Sequence, residues 1–143
     1  MVCFKELFSY ALTLLSRKDY SEKALRRKLK EKFPSCAKEA LDSVLRELSS
    51  QGYLNEYKTV WNYFEEKEKK GWGKKKISYS LRQKGFNENI VREVELTYPF
   101  DYSYVKELLS KRYNLKDRKD REKAKRFLNS RGFSYSEISH ILS

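Results

Sequence analysis

Cysteine, histidine, proline and glycine are all scarce in this chain. Its 143 residues include two cysteines, one histidine, two prolines and five glycines. Cys3 and Cys36 have neither metal-ligand spacing nor a CxxC partner, so we expect reduced thiols and no zinc or disulfide framework. With so few helix breakers, most of the chain consists of good helix formers. The composition therefore favours an all-α fold without a metal or cofactor.

The residue constellations that most enzymes need are also missing. His140 is the only histidine, so neither an HExxH metal site nor a Ser-His or Cys-His pair has material to build on. The segment Gly71-Trp72-Gly73 lacks the spacing of a phosphate-binding loop. Glu65 and Glu66 are neighbours on a helix, where adjacent side chains point apart, so they do not suit a paired-carboxylate site. We expect a protein that is not an enzyme.

Long hydrophobic runs are absent as well. No apolar stretch approaches the ~20 residues that a helix needs to cross a bilayer. The N-terminal helical pattern carries Glu6 within an amphipathic stripe, which is not typical of a signal peptide. We therefore expect a cytoplasmic protein with no membrane contact.

Positive charge is what the chain has in excess. Lys and Arg number 32 against 20 Asp and Glu, which gives a net charge of +12. Eight basic and three acidic residues lie in 17–32, seven basic and no acidic residues in 69–85, and ten basic and three acidic residues in 111–131. These segments carry more than the whole net charge, so the remaining residues are acidic on balance. Such clustering favours a polyanionic partner.

Apolar residues recur at helical spacing and predict nine helices in three similar units. The first helix carries the stripe Phe4, Leu7, Phe8, Ala11, Leu12 and Leu15. Ser21 and Asn87 are predicted N-caps, and Ser134 with Glu137 forms a predicted capping box for the last helix. The three units occupy residues 4–54, 55–98 and 99–143.

Internal similarity supports this repetition. The segment Leu81-Arg82-Gln83-Lys84-Gly85-Phe86 aligns with Leu128-Asn129-Ser130-Arg131-Gly132-Phe133, and Leu29-Lys30-Glu31-Lys32-Phe33 is a shorter version without the glycine. The sequence therefore predicts three tandem three-helix (helix-turn-helix-like) repeats in an elongated, curved arrangement. We expect flexing at the junctions near residues 53–56 and 98–102.

The basic segments coincide with the middle helix of each predicted repeat. If the repeats follow one another in a common sense, these helices form a line of positive charge that can track a phosphate backbone or an acidic groove. The alternative is that the Lys and Arg side chains only solvate outer faces. Tyr20, Trp72 and Tyr79 lie beside this charge and could stack on bases, but Tyr20 suits a hydrophobic staple and Trp72 a packing anchor.

Several segments, in order and spacing, resemble the RecX family of RecA regulators. The matching segments are Leu14 to Ser21, Leu25 to Leu29, Gly52 to Glu56, Lys70 to Gly73 with Ile77, Leu81 to Gly85, Lys123 to Leu128, and Arg131 to Ser134 with Ile138. Tyr53-Leu54-Asn55-Glu56 stands where the family usually has Tyr-Leu-Asp-Asp. Thr59, Val60 and Trp61 replace the Phe and small residues that usually follow it. The resemblance spans about residue 10 to the C-terminus.

The resemblance implies a monomeric protein that modulates RecA, mostly as an inhibitor, by binding along the RecA–single-stranded DNA filament. Basic residues of the matching segments are then the binding residues: Arg17, Arg26, Arg27, Lys70, Arg82, Lys84, Lys123, Lys125, Arg126 and Arg131. Lys74, Lys75 and Lys76 join them on charge alone. The family commonly has proline at the position of Lys74. Gly71 and Gly73 are expected to shape the repeats.

Two other functions remain open from the residues themselves. A stand-alone DNA- or RNA-binding helical module would prefer bare nucleic acid, single- or double-stranded, to a RecA filament. An interaction protein with an acidic protein partner would be indifferent to added DNA.

Overall fold

The structure is a computed structural model that describes residues 4–143. Within that range the chain is all helical, with nine helices and no strand. The predicted all-α fold of three-helix repeats is therefore confirmed. The helices are α1 (Phe4–Arg17), α2 (Glu22–Lys32), α3 (Lys38–Ser50), α4 (Glu56–Lys69), α5 (Lys74–Gln83), α6 (Glu88–Thr97), α7 (Ser103–Arg112), α8 (Arg118–Ser130) and α9 (Tyr135–Leu142).

Side-chain caps fix where many of these helices begin. The Ser21 hydroxyl accepts from the Ala24 N–H, and the Asn87 side chain accepts from two N–H groups of the first turn of α6. Ser134 and Glu137 form the full capping box of α9. All three predicted starts are confirmed.

The α1 stripe differs from its prediction in one respect. The residues buried from α1 are Leu7, Ala11 and Leu14, whereas Phe4, which was expected in the stripe, is 42% exposed. Leu14 was missed because Leu15 beside it fits the same spacing equally well. The buried face is rotated toward Leu14, and Leu15 packs only at the edge of the core.

Each repeat has its own hydrophobic core. The three clusters of buried residues run from Leu7 to Leu54, from Val60 to Tyr98 and from Val105 to Leu142. The boundaries expected at 54/55 and 98/99 stay a prediction. The chain exposes 9222 Å², against roughly 7,800 Å² for a compact monomer of its 17.2 kDa mass. The excess exposed area fits an elongated chain of small modules; the expected curvature stays a prediction.

The middle helices of successive repeats meet end to end. The Gly73 N–H, at the start of α5, donates to the Arg131 carbonyl at the end of α8, with N and O 2.7 Å apart. The Ser21 hydroxyl, at the start of α2, donates to the Lys84 carbonyl at the end of α5, at 3.0 Å. Each bond satisfies a carbonyl that has no partner within its own helix. The order along the row is therefore α8, α5, α2.

Close backbone approach makes glycine necessary where α8 meets α5. A Cβ on Gly132 would lie 2.5 Å from the Lys76 nitrogen, and a Cβ on Gly73 would lie 2.6 Å from the Gly132 carbonyl oxygen. Gly132 also has a φ of +88°, a conformation that residues other than glycine rarely adopt. Both glycines act in the contact between repeats two and three.

Two acidic side chains add hydrogen bonds at the predicted junctions. The Glu56 carboxylate accepts from the Glu22 N–H at 3.3 Å and from the Asn87 N–H at 3.0 Å, which joins repeats one and two. The buried Glu68 carboxylate accepts from the Tyr98 hydroxyl at 3.0 Å and from the Asp101 N–H at 2.7 Å. Both predicted hinges are thus bonded in this state, and their flexing stays a prediction.

Helix α4 accommodates the sequence that departs from the family pattern. Asn55 accepts from the Lys58 N–H as the N-cap, and Val60 and Phe64 are fully buried. The substitutions near Thr59 therefore leave the helix and its packing intact.

Cys36 is buried and forms no disulfide within the described residues, while Cys3 lies outside them.

Substituting Gly132 with Ala should separate steric cost from backbone cost, because Gly52 provides a matched control. Both glycines have positive φ, but a Cβ on Gly52 would meet nothing within 4 Å. We expect Gly52→Ala to lower the free energy of unfolding by about 1 kcal/mol. Gly132→Ala should cost about 2 kcal/mol more, because Lys76 must move. Urea unfolding followed by circular dichroism measures both, and equal losses would contradict the end-to-end contact.

Candidate nucleic-acid interface

The basic segments lie on one row of helices, and we call α2, α5 and α8 with their C-cap residues the basic row. The three helices contain 11, 10 and 13 residues. At 1.5 Å per residue they amount to roughly 50 Å of helix. The three helices together therefore contain enough basic surface to contact many phosphates of a nucleic acid strand.

Five predicted binding residues are exposed and have no ion pair, hydrogen bond or ring contact from their side chains within the described residues. They are Arg17, Arg27, Lys75, Lys123 and Arg126. All but Arg17 lie on the basic row, with at least one in each repeat. Arg17 lies in the last turn of α1, just before α2. Their charges are not neutralised by the chain, so they are available to an anionic partner.

Four other predicted residues are paired with carboxylates. Arg26 lies 2.7 Å from Asp42, Arg82 lies 2.8 Å from Glu88 and 3.6 Å from Glu95, Lys70 lies 3.4 Å from Glu66, and Lys125 lies 3.1 Å from Glu122. The hydrogen bond from Arg26 lowers the pKa of the Asp42 carboxyl. These cations orient local structure and offer less net attraction to a partner.

The remaining predicted residues lie at the junctions or over aromatic rings. Lys76 is 4.5 Å from the centre of the Trp72 ring, Lys84 is 5.5 Å from that of Tyr63, and Arg131 is 4.6 Å from that of Phe127. Lys74 lies 6.0 Å from the Phe100 ring centre. Of the three adjacent lysines, Lys75 is exposed and Lys74 and Lys76 are half-buried, and the role of all three in binding stays a prediction.

The resemblance also left out cations that the structure places on the basic row. Lys28 on α2 and Lys119 on α8 are exposed, and their side chains have no ion pair, hydrogen bond or ring contact within residues 4–143. Both fall inside the basic segments counted in the sequence. The signal that identifies them is helical position, since each lies on an outward face.

Of the three aromatic side chains near the basic segments, two pack against a core and one is exposed. Tyr20 packs against the first core with Lys18 over its ring, and Trp72 packs against the second core between Lys67 and Lys76. Tyr79 differs, because it is 64% exposed. Tyr20 and Trp72 thus serve packing rather than base stacking.

Polar chemistry away from the row is structural. Burial and the hydrogen bond to Glu68 raise the pKa of Tyr98, and burial and a bond to Glu137 do the same for Tyr102. His140 is exposed on α9, as predicted, and its ring meets that of Tyr102 edge-on. The described residues contain no cluster of His, Cys, Asp and Glu that could hold a metal ion. No helix among them is long and apolar enough to span a membrane.

The sequence of this chain is similar to those of known proteins. Sequence models of the first three-helix domain of RecX and of its third three-helix domain match residues 8–48 and 101–142. Regulatory protein RecX of Haemophilus influenzae is 30% identical over 141 residues, covering 94% of this chain and 91% of that protein. Regulatory protein RecX of Thermus thermophilus is 35% identical over 128 residues, covering 90% of this chain and 84% of that protein.

Solved structures show the same fold. The crystal structure of RecX from Lactobacillus salivarius superposes with a TM-score of 0.79 at 23% identity, covering 97% of this chain and 94% of that one. A crystal structure of regulatory protein RecX has a TM-score of 0.73 at 26% identity, covering 96% of this chain and 72% of that one.

The fold defines an all-α protein built from tandem three-helix repeats. More particularly, the chain belongs to the RecX family, whose members named above are regulatory proteins.

Reversing unpaired charges on the basic row should weaken binding to single-stranded DNA. The variant Arg27→Glu, Lys75→Glu, Arg126→Glu removes one free cation from each repeat. Its control, Arg46→Glu, Lys58→Glu, Lys106→Glu, makes the same change in net charge at exposed residues outside the row. We expect a loss of at least ~10-fold for the first, and a salt slope shallower by about 2. Fluorescence anisotropy measures both, and equal losses would mean that only net charge matters.

Proposed function

We propose that this chain regulates RecA, mostly as an inhibitor, by laying the basic row along the RecA–single-stranded DNA filament. The observation that carries the proposal is the end-to-end order of α8, α5 and α2, because unpaired cations of all three repeats then lie on successive helices of one row. A filament presents acidic protein surface and phosphates at regular intervals. A long, basic, repetitive surface suits such a partner better than it suits a small ligand.

Three weak sites on one chain give the binding its strength. Once one repeat has docked, the others meet the filament at high effective concentration, so modest contacts combine into stable binding. The hydrogen bonds of Ser21, Glu56 and Gly73 across the junctions keep the three repeats in register. Such binding would limit filament growth or strand exchange and so dampen recombination, repair and the SOS response, with the protein acting as a cytoplasmic monomer.

The single-stranded-DNA-dependent ATPase of RecA tests this proposal. We expect the chain to inhibit it well below the stoichiometry needed to coat the DNA, and to inhibit less at higher salt. The variant Arg27→Glu, Lys75→Glu, Arg126→Glu should lose most of the inhibition, and the control with Arg46, Lys58 and Lys106 reversed should keep it. Wild-type inhibition that follows only the coating of bare DNA would overturn the proposal.

Reversal of Lys74, Lys75 and Lys76 together is a less specific test than reversal of Lys75. Lys76 lies over Trp72, and its backbone touches the position of Gly132. The triple change should weaken filament binding and retain helicity. It also alters the packing of Lys76 at the contact between repeats two and three. We therefore expect Lys75→Glu alone to weaken inhibition without changing the unfolding midpoint in urea. Unchanged inhibition by the triple variant would remove these lysines from the interface.

The second candidate function is a stand-alone nucleic-acid-binding module. The free cations of the basic row favour it equally, because phosphates alone can satisfy them. A sharp preference for bare DNA over the assembled filament would favour this function. Indifference to DNA, with binding to RecA alone, would favour a purely protein partner.

A further inference from the structure

A groove of about 570 Å³ opens between α8 and α9 of the third repeat. Helix α8 contributes the polar wall, and α9 contributes an apolar floor. The polar wall consists of Arg121, Lys125, Arg126 and Asn129, and the floor includes Ile138 and Leu142. No Asp or Glu side chain lines the groove. The combination of cations above an apolar surface is complementary to a ligand that is both anionic and flat.

Tyr135 stands at the rim of this groove and is 87% exposed, the most exposed of the large hydrophobic side chains in the described residues. It has no hydrogen bond and no ring contact within that part of the chain. Because it is the first residue of α9, the capping box of Ser134 and Glu137 fixes its backbone. The ring is thus presented on a rigid helix start and is not used for packing.

The cations of the groove divide into structural and free. The Arg121 guanidinium donates to the Leu142 carbonyl at 2.6 Å, which ties α8 to the end of α9. Lys125 pairs with Glu122 at 3.1 Å, outside the groove lining. Arg126 has no partner within the described residues. One free positive charge, on α8, therefore lines the same groove as an exposed ring on α9.

The other repeats lack this pairing of ring and cation. The first position of the third helix is Lys38 in repeat one, Glu88 in repeat two and Tyr135 in repeat three. In repeat two Glu88 binds Arg82, which aligns with Asn129 of repeat three, so the corresponding positions there are occupied by an ion pair. Repeat one has a groove of similar placement lined by several cations but by no aromatic residue.

We propose that the α8/α9 groove binds an unstacked base of single-stranded nucleic acid, which stacks on Tyr135 while Arg126 neutralises a flanking phosphate. Base stacking on an aromatic side chain is tolerant of sequence, and a cation beside the ring adds to it. Asn129 supplies an amide that can donate to or accept from the base edge. The inference rests on the proposed function in one respect, that a nucleic acid strand runs along the basic row.

The test compares oligo-dT with an abasic strand of the same length, at low salt and without RecA. We expect Tyr135→Ala to weaken oligo-dT binding on the order of 10-fold. Tyr135→Phe, which keeps the ring, should bind within about 2-fold of wild type. The abasic strand, which has phosphates but no bases, should bind Tyr135→Ala and wild type equally. Tyr79→Ala is the matched control, because Tyr79 is also exposed on a basic helix but lines no such groove.

Each of four results would overturn the inference. These are no effect of Tyr135→Ala on oligo-dT, equal losses for the abasic strand, an equal loss for Tyr79→Ala, and no binding of oligo-dT by wild type at low salt. Retained RecA ATPase inhibition together with any of these would leave the proposed function standing. If the wild-type protein fails to inhibit RecA but its binding to oligo-dT depends on the Tyr135 ring, the proposed function would be overturned and the inference about the groove would stand.

Discussion

Everything in the arrangement of charge depends on the end-to-end contact between middle helices. A helix ends with carbonyl groups that have no partner, and it begins with N–H groups in the same condition. In this chain the start of one middle helix serves the end of another, through Gly73 at α8 and Ser21 at α5. The helix dipoles then follow one another head to tail, which is a favourable arrangement. The contact joins the middle helices of three repeats, each with its own small core, into the basic row.

The contact also explains a local conflict in the sequence. Helix α5 begins with Lys74, Lys75 and Lys76 and has no acidic residue in its first turn, although positive charge disfavours a helix N-terminus. The carbonyl end of α8 lies against that terminus and supplies the missing negative potential. The aromatic rings near Lys74 and Lys76 offset a further part of the repulsion. Lys75 is left exposed and unpaired.

Local signals carried most of the fold prediction, whereas the contacts between repeats left little trace in the sequence. Helical spacing and the caps at Ser21, Asn87 and Ser134 act over a few residues, so they can be read directly. Gly132 was recognised as part of a repeated segment, but its close approach to Lys76 brings together residues far apart in the chain. The same holds for Glu56, whose two hydrogen bonds join Glu22 and Asn87. Sequence position likewise did not distinguish Arg27, which is free, from Arg26, which is paired with Asp42.

The row runs against the direction of the chain, since α8 leads to α5 and α5 to α2, and both of its joints have the same head-to-tail form. Such a joint is heterologous, because the start of one helix meets the end of another, and its form does not by itself fix the number of units at three. Duplication of the central repeat would lengthen the row of middle helices by one step, through a joint in which the end of one copy of α5 meets the start of the other. The number of repeats in the chain therefore sets how much of a long partner the basic row can contact.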